Sequence, residues 1–376
     1  MPGLLPDVDP EGLLEYSVVY TDRSLNHMSQ RFQDVMNDIS TTLKQVYTAK
    51  GVVVVPGSGT FAMEAVARQF AHDKKCLIIR NGWFSFRWSQ ILEMGKIAAS
   101  TTVLKARQVE SSKHAAFEPA PIEEVLERIA SEKPDIVFAP HVETASGMLL
   151  PDDYLMAVAD AVHAVGGMFV LDCIASGALW IDMENIGVDV LISAPQKGWT
   201  GTPCCGLVML SQLALENIEE TTSSSFACDL KKWLQIMQAY ENGAHAYHAT
   251  MPTDSLTRFR NVMNETIAYG LEKARSDQIA LGKGVRKLLE NKGIKSVAAD
   301  GFQAPGVVVS YTEDAGIQTG KKFLGEGLQI AAGVPLQCDE PADFQTFRIG
   351  LFGLEKLAEI ERTISNLDLA ISHIIE

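Results

Sequence analysis

No stretch of the chain reaches the ~18 consecutive apolar residues that a membrane-spanning helix needs. The first residues, MPGLLPDVDPEGLLEY, show neither the basic opening nor the apolar segment of a secretion signal. Positive charge is also short. Lysine and arginine number 32 against 47 aspartates and glutamates, a formal net charge of −15. Nucleic acid and anionic membranes are held by clustered cations, so neither is an expected partner. Cysteine is sparse and unpatterned: Cys76, Cys173, Cys204, Cys205, Cys228 and Cys338 form no CxxC pair and no disulfide framework. Reduced thiols in a cytoplasmic protein are the expectation. The eight histidines include no HExxH and no cluster with cysteine, so no metal site is expected. Neither GxGxxG nor GxxxxGKS/T occurs, which removes the commonest glycine-rich nucleotide loops.

What is present is apolar material, 47% of residues, enough for a large core. At roughly 100–200 residues per domain, a chain of 376 predicts two domains, or one large and one small. Residues 1–20, with three prolines and little pattern, read as an arm. From Ser29 to Lys50, Phe32, Val35, Met36, Ile39, Leu43 and Val46 recur at helical spacing. Six short apolar runs follow, at Gly51–Val55, Cys76–Arg80, Ile136–Ala139, Met168–Asp172, Val188–Ser193 and Gly206–Leu210. Helical patterns such as Ile122–Ala130 and Tyr154–Val165 lie between several of them. Strands apolar on both faces and separated by helices predict an α/β domain over 21–254, its mostly parallel sheet covered on both sides. Ligands of such sheets bind outside the carboxyl ends of the strands. Over 255–376 the pattern changes. A long helical region, Ser255 to Asn291, leads to strands at Val307–Tyr311 and Thr346–Ile349, a helix start at Gly320–Gly325 and a terminal helix over Leu354–Ile375. This predicts a linking helix and a smaller α+β domain.

The first five apolar runs all end in polar or reactive residues. Lys197 follows the run Val188–Ser193 through an Ala-Pro-Gln turn; it is either a loop lysine or an amine whose partial desolvation makes it nucleophilic. Asp172 ends Gly-Met-Phe-Val-Leu-Asp, either as a cap of the strand end or as the carboxylate that holds a proton on a pyridine-type cofactor. Ser58-Gly59-Thr60 stand between a strand and a helix. They cap that helix or aim its first N–H groups at a phosphate. Trp83 and Phe84, after Asn81-Gly82, either pack in the core or lie flat on a ring. His141-Val-Glu143-Thr144 bring polar groups to the same edge. Arg348, in a strand of the second domain, needs an anionic partner: a structural carboxylate or that of a substrate.

Taken together, the chain resembles the class V aminotransferases of pyridoxal phosphate (PLP) fold type I. It is similar to the alanine–glyoxylate and serine–pyruvate branch, with 2-aminoethylphosphonate–pyruvate aminotransferases nearby. The likeness runs from about residue 27 to the end and rests on GSGTFAMEA, NGWFSFRW, HVETASG, VLDCIASG, SAPQKGW, YHATMP and FRIGLFG. It implies Lys197 as the Schiff-base lysine and Asp172 as the partner of the pyridine nitrogen. It implies Ser58, Gly59, Thr60 and Gln196 around the cofactor phosphate, Phe84 against the ring and Thr144 on its hydroxyl. Tyr247 and Thr250 would reach the phosphate of the neighbouring subunit in a homodimer with shared sites, and Arg348 would bind the substrate carboxylate. The expected reaction passes an amino group, by a ping-pong route, from a small amino acid of the alanine or serine type to glyoxylate or pyruvate. Rival activities on the same resemblance are 2-aminoethylphosphonate transamination, a lyase, a decarboxylase or a cysteine desulfurase with Cys338 as its thiol; a non-catalytic α/β binding protein is the rival outside it. The chain departs from the family pattern at Tyr20–Ser24, where relatives carry a Gly-Pro-rich segment, and at Phe84, where many have tryptophan.

Overall fold

The computed structural model describes residues 13–375. Most of the arm expected over 1–20 therefore lies outside the described residues. Seven strands form the main sheet: β1 (Gly51–Pro56), β2 (Lys75–Arg80), β3 (Ser100–Lys105), β4 (Ile136–Pro140), β5 (Met168–Asp172), β6 (Val190–Ser193) and β7 (Cys205–Leu210). Their order is β1-β7-β6-β5-β4-β2-β3. Only β7 runs against the rest, antiparallel to both β1 and β6; the other pairings are parallel. The carboxyl ends of β1, β2, β4, β5 and β6 consequently share one edge, and β7 presents its amino end there. That is why the sixth apolar run, unlike the first five, does not deliver its functional end to this edge.

Strands β4 to β7 are buried along their whole length, as expected for strands covered on both faces. The cover comes from α1 (Gln30–Tyr47), α2 (Gly59–Phe70), α3 (Trp83–Gly95), α4 (Ile122–Glu132), α5 (Asp152–Ala164) and α6 (Leu230–Glu241). Helix α1 is representative. Ser29 caps it by accepting from Phe32 N, and it ends at Thr48 in the left-handed region, whose N–H returns to Lys44 O. Its buried stripe holds Phe32, Val35, Met36, Ile39 and Leu43 of the residues picked out by period, while Val46 is half-buried.

The helical region over 255–291 is two helices, α7 (Thr253–Tyr269) and α8 (Leu271–Asn291), broken at Gly270 with φ 98. Beyond them a three-stranded antiparallel sheet is built from β8 (Val307–Tyr311), β9 (Ala331–Ala332) and β10 (Thr346–Gly350), with β10 central. The terminal helix, read as continuous from Leu354, is interrupted at Glu359 into Leu354–Ala358 and α9 (Ile360–Ile375). Leu281, Val285 and Leu289 of α8 pack with Phe347, Ile349 and Ile371 in a second core. A third apolar cluster packs segments that follow main-sheet strands, with Phe117, Val142 and Met148, against Val297, Val309 and Leu336. The loop at the carboxyl end of β4 thus packs against the elements around the small sheet.

Candidate active site

At the end of β1 the chain turns through Gly57, whose φ of 122 suits glycine, and Gly57 N donates to Cys204 O at 3.0 Å. Ser58 then stands at the N-cap of α2 in extended conformation, yet its hydroxyl makes no capping bond. No hydrogen bond of this hydroxyl occurs among the described residues, and it stands beside N–H groups of the first turn that have no intrahelical acceptor. The turn is held from below by β7. A Cβ on Gly206 would lie 2.7 Å from Ser58 O and 2.4 Å from Ala62 Cβ, so this approach needs glycine.

Helix α3 starts at the end of β2 with Gly82 as N-cap, which has no side chain to offer the first turn. Glu143 supplies the acceptor from another loop. Its carboxylate takes Phe84 N at 3.1 Å, Ser85 N at 2.9 Å, Ser85 Oγ at 2.6 Å and Ala145 N at 2.9 Å. The fully buried anion is thereby satisfied and sits at the positive end of a helix. His141, too, works internally: its Nδ1 is 2.8 Å from Ser176 Oγ, and burial holds its pKa down at about 3, so the ring is neutral. Of the polar group expected on this loop, His141 and Glu143 are structural. Thr144 is half-buried, and no hydrogen bond of its side chain occurs among the described residues.

Phe84 projects from the first turn of α3 and is half-buried. Two guanidinium groups lie by its ring, Arg87 with Cζ 4.6 Å from the centroid and Arg348 at 5.6 Å. Arg87 also donates through Nη1 to Thr60 Oγ1 at 3.0 Å. Sequence reading singled out the motif NGWFSFRW but passed over Arg87, which looks like an ordinary helix-surface arginine. Arg348 departs from expectation in its burial. It is half-buried rather than sealed in the strand, its Nε donates to Ala332 O at 2.8 Å, and no carboxylate pairs with it among the described residues. The structural salt bridge considered for it is absent there.

Asp172, last residue of β5, is buried. One oxygen accepts Ile174 N at 2.9 Å, and no other hydrogen bond reaches the carboxylate among the described residues. Burial, aided by the charge of Glu143, pushes its pKa up to about 7. Lys197 follows β6 in a turn closed by Gly201 N to Pro195 O at 2.8 Å and Thr200 N to Lys197 O at 3.0 Å. A Cβ on Gly198 would fall 2.0 Å from Gly177 O, so the backbone beside Lys197 is pressed onto a neighbouring loop. The amine has no hydrogen bond or ion pair among the described residues. It lies 5.1 Å from the centre of the Phe352 ring. Burial, and then Arg348, lower its pKa, while Asp172 opposes them. Gln196 Oε1 is buried without a partner. A cavity of ≈ 500 Å³ opens here, lined by Gln196, Lys197, Glu265, Phe352 and Glu355 among others.

Tyr247 and Thr250 are exposed and bonded to each other, hydroxyl to hydroxyl at 3.1 Å. No hydrogen bond joins them to Lys197, Asp172 or the Ser58–Thr60 turn among the described residues. The divergent segment at 20–24 packs against their loop: Tyr20 Oη donates to Met251 O at 3.2 Å, and the following Leu25 N to Asp254 Oδ1 at 3.0 Å.

Residues 12–361 match the family model for Aminotransferase class-V. The 2-aminoethylphosphonate–pyruvate transaminase of Paraburkholderia phymatum is 28% identical over 93% of this chain and 91% of its own length. The alanine–glyoxylate aminotransferase of Rattus norvegicus is 25% identical over 93% of this chain and 83% of its own length. Among solved structures, an alanine–glyoxylate aminotransferase from Nostoc sp. superposes with a TM-score of 0.77 at 20% identity, covering 92% of this chain and 88% of the other. An aspartate aminotransferase from Thermus thermophilus does so with a TM-score of 0.75 at 22% identity, covering 93% of each. With a family match over nearly its whole length, the chain belongs to the class-V aminotransferases and is an aminotransferase.

Proposed function

We propose that this aminotransferase uses pyridoxal 5′-phosphate to pass an amino group from a small amino acid of the alanine or serine type to glyoxylate or pyruvate. The observation that carries the reading is the pairing of Lys197 and Asp172 at neighbouring strand ends. The lysine is an amine with lowered pKa, the aspartate is a buried carboxylate with raised pKa, and neither forms an ion pair among the described residues.

The residues suit the cofactor. An acid raised to about 7 by burial is poorly ionised until a positive group comes to it, and a protonated pyridine nitrogen is such a group. The free Ser58 hydroxyl and the α2 N-terminus suit a phosphate, and the orphaned Gln196 Oε1 suits a nearby donor. Lys197 would hold the aldehyde carbon, Asp172 the ring nitrogen, Ser58, Gly59, Thr60 and Gln196 the phosphate, Phe84 a ring face and Thr144 the ring hydroxyl. When bound, PLP supplies the electron sink that lets the Cα–H bond of an amino acid ionise. Lys197 then serves as the base at Cα, because an amine kept below its ordinary pKa is unprotonated in a larger share of molecules near neutrality. Arg348, without a carboxylate of its own, fixes the substrate carboxylate and so aims Cα at Lys197. A double-displacement rate law follows from one site serving donor and acceptor in turn.

Further parts of the reading are a division into an arm (1–20), a large unit (21–254) and a small one (255–376), a reducing cytoplasmic setting, and a homodimer. Six free cysteines support the setting. No described helix is long and apolar enough to cross a membrane. The dimer is supported by the exposed rings of Phe226, which lies against His248, and Tyr247, which lies against His27; both ask for cover. Cys338 speaks against a desulfurase: it is buried, its Sγ is 3.4 Å from Arg80 O, and its pKa is pushed up to about 12. A nucleophilic thiol needs the opposite environment.

The test is spectroscopic and chemical. The purified protein soaked in PLP should show the absorbance of bound cofactor, and borohydride should fix the label on Lys197. Alanine, serine and 2-aminoethylphosphonate are then screened against glyoxylate and pyruvate. Lys197→Ala should abolish label and turnover together; full activity in that variant refutes the assignment.

A further inference from the structure

Arg87 is held where a cation ought not to be. It lies one helical turn beyond Phe84 on α3, and its side chain folds back toward the N-terminus of that helix, over the Phe84 ring. Its Nη1 reaches Thr60 Oγ1, in the first turn of α2. Two helix N-termini therefore converge on one guanidinium. The helix dipole makes that end positive and favours anions there, not cations. No carboxylate forms an ion pair with Arg87 among the described residues. Lys197 and Arg348 add two more positive groups, and Arg87 is close enough to both to hold their pKa values down. The nearby acids pull the other way, Glu143 on Arg348 and Asp172 on Lys197, but neither forms an ion pair with Arg87 among the described residues. Glu143 is committed to N–H and hydroxyl donors, and Asp172 is driven toward neutrality by burial.

Such an arrangement is stable in the working enzyme if a strong anion settles among these groups. Two anions enter on the proposed reading, the cofactor phosphate and the substrate carboxylate. Arg348 stands on β10 of the small sheet, and Arg87 is tied to the Ser58–Thr60 turn. We propose that Arg87 is a ligand of the cofactor phosphate, bonding it directly with the N–H groups left free and aligning the Thr60 hydroxyl toward it. The inference rests on the PLP reading above. It assigns to this chain a charged phosphate ligand from α3, outside the turn at α2. It also makes phosphate the feature by which the apo-protein tells PLP from pyridoxal, since a guanidinium fork matches a phosphate dianion and has nothing to grip on pyridoxal.

The test measures binding rather than turnover. Cofactor-free wild type, Arg87→Gln and Arg87→Lys are each titrated with PLP and, separately, with pyridoxal, following the absorbance of the bound aldehyde. Circular dichroism and the thermal midpoint check folding. A hydrogen bond to a charged group is worth ~1.5–3 kcal/mol, so Arg87→Gln should weaken PLP by about 10- to 100-fold. Pyridoxal affinity should change little. Arg87→Lys, which keeps the charge but loses the fork, should fall between. Inorganic phosphate should compete with PLP on wild type and lose that effect on Arg87→Gln. Unchanged PLP affinity in a folded Arg87→Gln overturns the proposal, as does an equal loss for PLP and pyridoxal. A raised KM for a donor with a distal anion at unchanged PLP affinity overturns it too, by making Arg87 a substrate ligand. If wild type binds neither compound, it is the PLP reading that fails.

Discussion

Asp172 shows at the scale of one residue how a working site is a stability cost. The unfolded chain releases this proton near pH 4, whereas burial keeps it on the folded cofactor-free protein up to about pH 7. Between those values the folded state holds the extra proton, so its stability falls as pH rises, and the whole penalty is present above about pH 7. The shift corresponds to a penalty of up to ~4 kcal/mol. Asp172→Asn keeps an oxygen for Ile174 N and loses the charge. In cofactor-free protein the variant should match wild type in urea midpoint at pH 4 and exceed it at pH 8. Equal midpoints at pH 8 would show that the carboxylate is not desolvated. With PLP present the order should reverse, because the charge then has its partner. Asp172 and Lys197 were legible in the sequence because each is a reactive residue placed directly after an apolar strand. Arg87 was not, because its meaning lies in Thr60 and Phe84: a long side chain on a half-buried helix face can be assigned only when the second helix that it touches is in place.

At the scale of elements, the cleft is assembled by borrowing. Helix α3 begins with a glycine and takes its cap from Glu143, on the loop after β4, so the ends of two strands adjacent in the sheet, β2 and β4, are tied by one carboxylate. Glu143→Gln halves the acceptor capacity and turns an amide N–H₂ toward N–H donors. The expected cost is ~1–3 kcal/mol, read as a lower urea midpoint at unchanged slope. An unchanged midpoint would mean that α3 starts equally well without the anion. The central strands and α1 could be read from sequence because full burial writes continuous apolar runs and one-face burial writes a helical period. Strand β3 could not: Ser100-Thr-Thr-Val-Leu-Lys105 is an edge strand with polar, partly exposed positions, and it shows no such run. The join between α7 and α8 was also hidden, since apolar spacing continues on both sides of Gly270 and only its positive φ marks the break.

At the scale of the whole molecule, Tyr247 and Thr250 pose a question of reach. They belong to the motif YHATMP, yet they are exposed, and among the described residues their hydroxyls are hydrogen-bonded only to each other. In a homodimer with shared sites, each chain would lend this pair to its partner's phosphate. That arrangement permits complementation between two defective chains. Lys197→Ala destroys the site of its own chain; Tyr247→Ala with Thr250→Ala cripples the site of the other. In a mixed dimer one site then collects both defects and the other collects neither. Random assembly makes about half the dimers mixed, so co-refolding equal amounts should restore about a quarter of wild-type activity from parents that have little. Sites completed within one chain give a different result, since the mixture can then do no better than the mean of the two parents. Light scattering on the same samples fixes the subunit number, and a monomer with full activity would remove the need for a borrowed tyrosine altogether.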